Sequence, residues 1–449
     1  MSTQPATTIA GRIGKFASDL KWEKLSTAVQ DRVRDRVMDA IATAVAGNIA
    51  DPYLPVAAIM VDEPAGTATV LATGQTASPG AAAFANGVAT HALLYEDLNL
   101  TSADHPGAVI IPAALAAAET MGNNATLADF LVGVLAGYEV QLFLGATAAT
   151  GVIQRGFRTT SVFGTVAAAV AAATVWRSNA DRIAAAATIG ANFACGLTEG
   201  WGHGTSEPYF QAGIAAQNGL LAARLAIKGA QTAAPTFEST NGFLHAFADT
   251  QSDEAIHLVD TWRILNVICK PYPCSGGKIG AIDSALVLRE NGIDPAQIHR
   301  VRVWLPSLYY GYPGASRTAP FASMSQAQAS GQFCVAATLL GYRMQSVETF
   351  TRDFASLDIA ALSHRIELLA QSETSLARVE VELNDGRTLA AQADRRNQLI
   401  PSITSMSKKL RSLTKTAWKP GGAARVIDFI KGPGGRPVNN LSACLRARI

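Results

Sequence analysis

Four stretches of the sequence gather side chains able to move protons or hold anions. The first runs from His91 to Gly107 and contains His91, Glu96, Asp97, Asp104 and His105. These are acids, bases or metal ligands by type. His105 is the sharpest of them, a ring that titrates near neutrality set beside Pro106 and Gly107 at a helix start. The plain alternative is a polar loop with helix caps. The second stretch, Gln154 to Gly164, places Arg155, Arg158 and three hydroxyls ahead of a helix of small residues. Helix N-termini and arginine forks both favour carboxylates or phosphates. Its alternative is a solvated turn with Thr or Ser as N-cap. The third, Trp201 to Gly213, is a glycine-rich polar loop carrying His203, and a histidine in that setting is more often structural than catalytic. The fourth is Cys269 to Lys278. Here Lys270 precedes two prolines, a place for a cation facing a cleft. Cys274 has no histidine beside it in sequence and reads as a small buried thiol.

These stretches need elements to position them. The first two-thirds of the chain reads as helix after helix, dominated by alanine, the best helix former. Val37–Gly47 is apolar on more than one face, as in a helix buried on most sides. Pro112–Met121 reads as a helix with proline in its first turn and Gly122 as its stop. Asn179 or Asp181 caps a helix running to about Gly190. The texture changes near residue 265. Val301–Leu305 and Ala377–Leu383 alternate apolar and polar residues, the period of half-buried strands. Asn384-Asp-Gly386 is a hairpin turn, and Arg387–Gln392 is its return strand. Gln328–Leu340 and Ser356–Leu369 read as helices between these strands. Helix resumes in Ser402–Leu413 and Ala423–Ile430. The organisation expected is a helical domain over 1–265, an α+β domain over 266–400, and C-terminal helices over 401–449 packing back on the first.

Composition narrows the function classes. Of 449 residues, 49% are hydrophobic and only 16% charged, which excludes a disordered chain. A formal net charge of +2 with no basic stripe disfavours nucleic-acid binding. Few charges on a chain of this size point to hidden surface, as at a large subunit interface. Five cysteines without a CxxC pair argue against a disulfide framework or a structural zinc site. The N-terminus has no basic region followed by an apolar core. The apolar run Phe163–Trp176 is shorter than a membrane span. The expectation is a cytoplasmic protein with no membrane partner. No phosphate-binding glycine loop is present.

Taken in order, short segments resemble the MmgE/PrpD family across nearly the whole chain. They are Asp39–Gly47, His91–Asp97 with His105-Pro106, Pro112–Glu119, Gly137–Val140, Gly156–Thr160, Gln211–Gly219, Asn241–Phe243 and Lys270–Pro273. The resemblance implies a mainly α fold, with a large all-helical domain plus a smaller α+β lid domain, in a homodimer. It implies a cleft between the domains and a small di- or tricarboxylate substrate. It also implies elimination of water, loss of CO2 or epimerisation without metal or organic cofactor, the activities of 2-methylcitrate dehydratases, cis-aconitate decarboxylases and iminodisuccinate epimerases. The chain departs from the family's active-site pattern. Leu94 stands where the family has an acid, Leu98 where it has Thr, Arg158 and Ser275 where it has His, and Glu207 or Pro208 where a Lys is expected.

The resulting expectation is a cofactor-independent lyase, dehydratase-like, working on carbon next to a carboxylate. Decarboxylation or epimerisation is the alternative within the family, and a ligand-binding relative without activity is the alternative outside it. His105 carries the proton, and Lys270, Arg158 and Arg155 hold carboxylate charge. Tyr272, Glu96 and Asp97 assist, with Ser275 and His203 as further substrate contacts.

Overall fold

A computed structural model describes residues 8–250, 261–372, 376–393 and 399–448. Its larger part is a body of packed helices. Thr159–Val175 lies at the centre with every residue buried, against Pro106–Thr120, Leu127–Gln154, Ala180–Asn192 and Glu207–Ile227. Small residues permit this, because each glycine or alanine lets a neighbouring backbone approach. A Cβ at Gly87, on helix Pro79–His91, would sit 2.8 Å from the Gly213 Cα on helix Glu207–Ile227. The chain folds as a mainly helical protein, as its composition implies.

Several local readings change. Helix Pro106–Thr120 starts six residues before Pro112, which therefore lies in its interior. The reason is at the start: Pro106 suits a first turn, and the Asp97 carboxylate accepts from Gly107 N–H at 3.0 Å. Asn179 rather than Asp181 caps Ala180–Asn192, accepting from Arg182 N–H at 3.0 Å. Leu127–Gln154, 28 residues long, exceeds Phe163–Trp176 as an apolar stretch, and most of its apolar window is buried in the helical body.

The four-stranded sheet runs in the order Ile366–Gln371, Ile298–Pro306, Arg378–Leu383, Thr388–Gln392. The first pair is parallel and the others antiparallel. Val301, Val303 and Leu305 are buried on one face, with helices Ile279–Glu290 and Gly331–Leu340 packed on the sheet. The hairpin forms at Asn384–Gly386. Ser356–Leu369 is not one helix: helix ends at Ser363, and Ile366–Gln371 is drawn into the sheet by pairing with Ile298–Pro306. Tertiary pairing overrides local preference there.

Beyond the sheet, Ile403–Leu413 packs on Thr27–Ala46, and Lys409 Nζ lies 2.7 Å from Asp39 Oδ1. Gly422–Lys431 and Val438–Arg446 also return to the helical body, through Arg34 donating to Ile430 O and Arg446 donating to Thr69 Oγ1.

Candidate active site

A two-residue ladder assembles the chemistry. Asp97–Leu98 pairs antiparallel with Ile268–Cys269, Asp97 opposite Cys269. This brings Glu96 beside Lys270 across more than 170 residues of chain. His91 ends helix Pro79–His91, and His105 is the N-cap of Pro106–Thr120. Arg158 is the N-cap of Thr159–Val175 by its backbone, with no capping Thr or Ser side chain.

Glu96 is the hub. Its Oε1 lies 2.6 Å from His91 Nδ1 and 2.9 Å from His105 Nδ1, and all three residues are buried. Burial raises a carboxylate's pKa, but Lys270, His91 and His105 outweigh it and hold Glu96 well below the usual range. Glu96 is therefore an anion. Burial, with Glu96 opposing and Arg158 assisting, pushes His91 down to about 3, so that imidazole is neutral.

The hydrogen bonds set both tautomers. Arg158 Nη2 donates to His91 Nε2, so His91 carries its proton on Nδ1 and donates it to Glu96. His105 Nδ1 faces only acceptors, Asp97 O and Glu96 Oε1, each at 2.9 Å. Its proton sits there, which leaves the lone pair on Nε2, and His105 lines the cleft. Burial and then Lys270 lower the His105 pKa from its ordinary 6.5. A neutral imidazole locked in this tautomer is a general base.

The guanidinium of Arg158 is enclosed. Nη1 donates to Pro208 O and, at 3.5 Å, to Gln211 Oε1; the group also bonds Tyr312 and stacks 5.2 Å from the Trp201 ring. Its fork serves protein acceptors, so what it brings to the cleft is positive charge. Lys270 is buried and lines a separate, larger cavity with Tyr95 and Lys409; its Nζ lies 3.4 Å from Cys274 O, and burial lowers its pKa while Glu96 raises it.

The remaining sequence candidates fall in different places. Ser275 lines the cleft, its N–H donating to Gln328 O. Asp97 is turned away from it: Oδ1 accepts from Gly107 and Oδ2 from Tyr138 at 2.7 Å. Burial pushes Asp97 up to about 7 against the pull of Arg36. Tyr272 donates to Asp283 at 2.7 Å, anchoring its loop to Ile279–Glu290. Arg155 is exposed at the end of Leu127–Gln154. His203 lies on the surface with Glu199, 2.9 Å away.

Leu94, Leu98 and Trp201 form the cleft's helical-body wall, and Tyr309, Tyr312 and Pro313 face them from the segment after the sheet strand. The free space between is about 40 Å³, room for a few waters. These aromatic groups were not singled out from sequence; the tyrosines directly after a strand were their only signal. Gln328 was also missed. Fully buried, it donates to Leu93 O and Pro273 O and accepts from Tyr209, joining two site loops to the first turn of helix Glu207–Ile227.

His91, Glu96 and His105 could by type hold a metal, with donor atoms within 4.8 Å of one another. Here those atoms bond each other, and two cations, Lys270 and Arg158, already act on Glu96. Another positive ion would meet that charge.

Comparison with known proteins agrees along the chain. Residues 11–255 match the MmgE/PrpD N-terminal domain and residues 272–426 the MmgE/PrpD C-terminal domain. A cis-aconitate decarboxylase-like protein, oryM, of Aspergillus oryzae is 27% identical over 75% of this chain and 76% of its own. Cis-aconitate decarboxylase of Aspergillus terreus is 25% identical over 76% and 75% respectively. That of Mus musculus is 24% identical over 70% and 67%.

Proposed function

The chain belongs to the MmgE/PrpD family, and from that premise we propose a lyase acting on a small carboxylate, with His105 as its base. The observation that carries this is the placing of a cation and an oriented imidazole on one cleft. Arg158, a guanidinium that stays protonated, lines the cleft beside His105, whose Nδ1 is held by Glu96 and Asp97 O. Arg158 is the one Lys or Arg side chain that lines the cleft, among the described residues. A substrate carboxylate supplies the anion for it.

The reaction follows from the base. His105 Nε2 takes a proton from the carbon next to the carboxylate. The electron pair left behind spreads into that carboxylate, where the fixed positive field of Lys270 and Arg158 stabilises it. Hydroxide then leaves the neighbouring carbon, a C=C bond forms, and the His105 imidazolium gives its proton to the departing oxygen, so that water is released and His105 returns to the neutral base. Glu96 supports the positive charge that His105 acquires. Substrate entry needs the walls to part, with residues 307–313 moving away from Trp201 and Leu98, and their return excludes water.

Decarboxylation is the second reading, favoured by the names of the relatives. There the C–C bond to one carboxylate breaks, CO2 leaves, and the carbanion takes a proton. Where His105 gives that proton it begins charged, against its lowered pKa.

The test is a panel of citrate-, aconitate- and aspartate-like acids and simpler hydroxy acids, followed by NMR in D2O. Deuterium entry at carbon with water loss supports the proposal. CO2 release supports the second reading. Binding without turnover would identify a ligand-binding relative that has lost activity.

A further inference from the structure

Building on the carboxylate reading above, we infer that this cleft takes a single carboxylate joined to an apolar body, an alkyl- or aryl-substituted acid, rather than a compact di- or tricarboxylate. Apart from two tyrosine hydroxyls, the polar groups at the cleft are His105, Arg158, Ser275 and the indole N–H of Trp201, and the rest of the lining is apolar or aromatic. The two tyrosines do not soften this. Tyr309 donates its hydroxyl to Leu100 O at 2.9 Å, and the Tyr312 hydroxyl bonds Arg158. Both hydroxyls already have protein partners, a backbone carbonyl and a guanidinium.

The apolar wall is built into the backbone. Leu94 has φ 48° and Ala103 φ 53°, a left-handed conformation that side chains with a Cβ seldom adopt. Both line the cleft. Strain of this kind gathers at sites where the surroundings fix a side chain in place. Gly276 and Gly277 let the opposing groups close in: a Cβ on Gly276 would collide with Leu98, and one on Gly277 with Tyr309.

Charge sets the number of carboxylates. Arg158 is the one Lys or Arg side chain lining the cleft among the described residues, and one cation suits one carboxylate. A second or third would be pressed against Leu94, Leu98 and aromatic rings, losing its hydration with no cation to replace it. An alkyl or aryl group meets the same wall favourably.

Isothermal titration of the full chain tests this with 3-phenylpropanoate and hexanoate against propane-1,2,3-tricarboxylate and citrate at one ionic strength. The expected result is binding of a monocarboxylate at least ~10-fold tighter, the scale of burying one apolar side chain. Leu98→Ala and Leu94→Asn should each weaken 3-phenylpropanoate by about that factor, with circular dichroism and thermal midpoint checking the fold. Equal or tighter binding of the tricarboxylates overturns the inference and leaves the carboxylate reading standing. No binding by any of the four acids overturns both. Unchanged affinity in both folded variants removes the wall from the binding site and overturns the inference.

Discussion

His105 has its Nδ1–H committed to Asp97 O and Glu96, so one lone pair is left to act. His105→Asn keeps a donor for those acceptors but removes the base. Turnover should fall about 10²–10⁴-fold with the fold intact, the usual worth of general acid–base catalysis; steady-state kinetics checks it. Because the His105 pKa lies below 6.5, the base form prevails at neutral pH. In proton abstraction kcat/KM should be level near pH 7 and fall on acidification, with its limb below 6.5. A decarboxylase needing charged His105 gives the opposite slope. His91 makes a separate statement about stability. Its folded pKa is depressed to about 3 from 6.5, so its contribution is complete above 6.5 and is lost as pH falls toward 3. His91→Gln can still donate to Glu96 and accept from Arg158. The difference in unfolding free energy between wild type and His91→Gln should therefore move against wild type as pH drops through that window. Denaturant titrations at pH 7 and 4.5 measure it. Lys270→Met removes the cation that acts most strongly on the buried Glu96 anion, so it should lower stability at neutral pH, measured by denaturant titration beside wild type.

At the scale of elements, glycine and alanine decide how closely the helices pack. Pro79–His91 and Glu207–Ile227 touch through Gly87 and Gly213, and His91 closes the first of these helices. Gly87→Ala must push the pair apart, costing about 1–3 kcal/mol. Because His91 rides on that helix, catalytic efficiency should fall too. Chemical denaturation and kcat/KM on one preparation test both; an unchanged midpoint would show that the contact relaxes freely. Some element-level features were plain in the sequence. Alternation marked Ile298–Pro306 and the hairpin after Leu383, because each strand buries one face. Ile366–Gln371 was not legible, since its parallel partner lies more than 60 residues away.

Across the whole molecule, the low charged fraction finds a counterpart on the surface. Ile49, Leu54, Ile59 and Val61 are each more than half exposed, around the short helix Leu54–Asp62. Together with the family resemblance, this leads us to expect a homodimer through the helical body. Light scattering at micromolar concentration should give twice the chain mass, and a single species of monomer mass would overturn it. The sequence by itself determined the mainly helical architecture, because alanine-rich periodicity and low charge allow few other solutions. It also marked His105, Glu96, Lys270 and Arg158 as chemically able residues, since residue type is a local property. Their division of labour was decided by tertiary structure. Asp97 and Glu96 are neighbours in sequence with equal acidity by type, yet the ladder to Ile268–Cys269 sends one to cap a helix and the other to join two histidines. Arg155 and Arg158 lie three residues apart, and only the second is enclosed beside the cleft. Tautomer, the cation on the cleft and the apolar wall all depend on groups brought together from distant parts of the chain, and no local pattern encodes that distance.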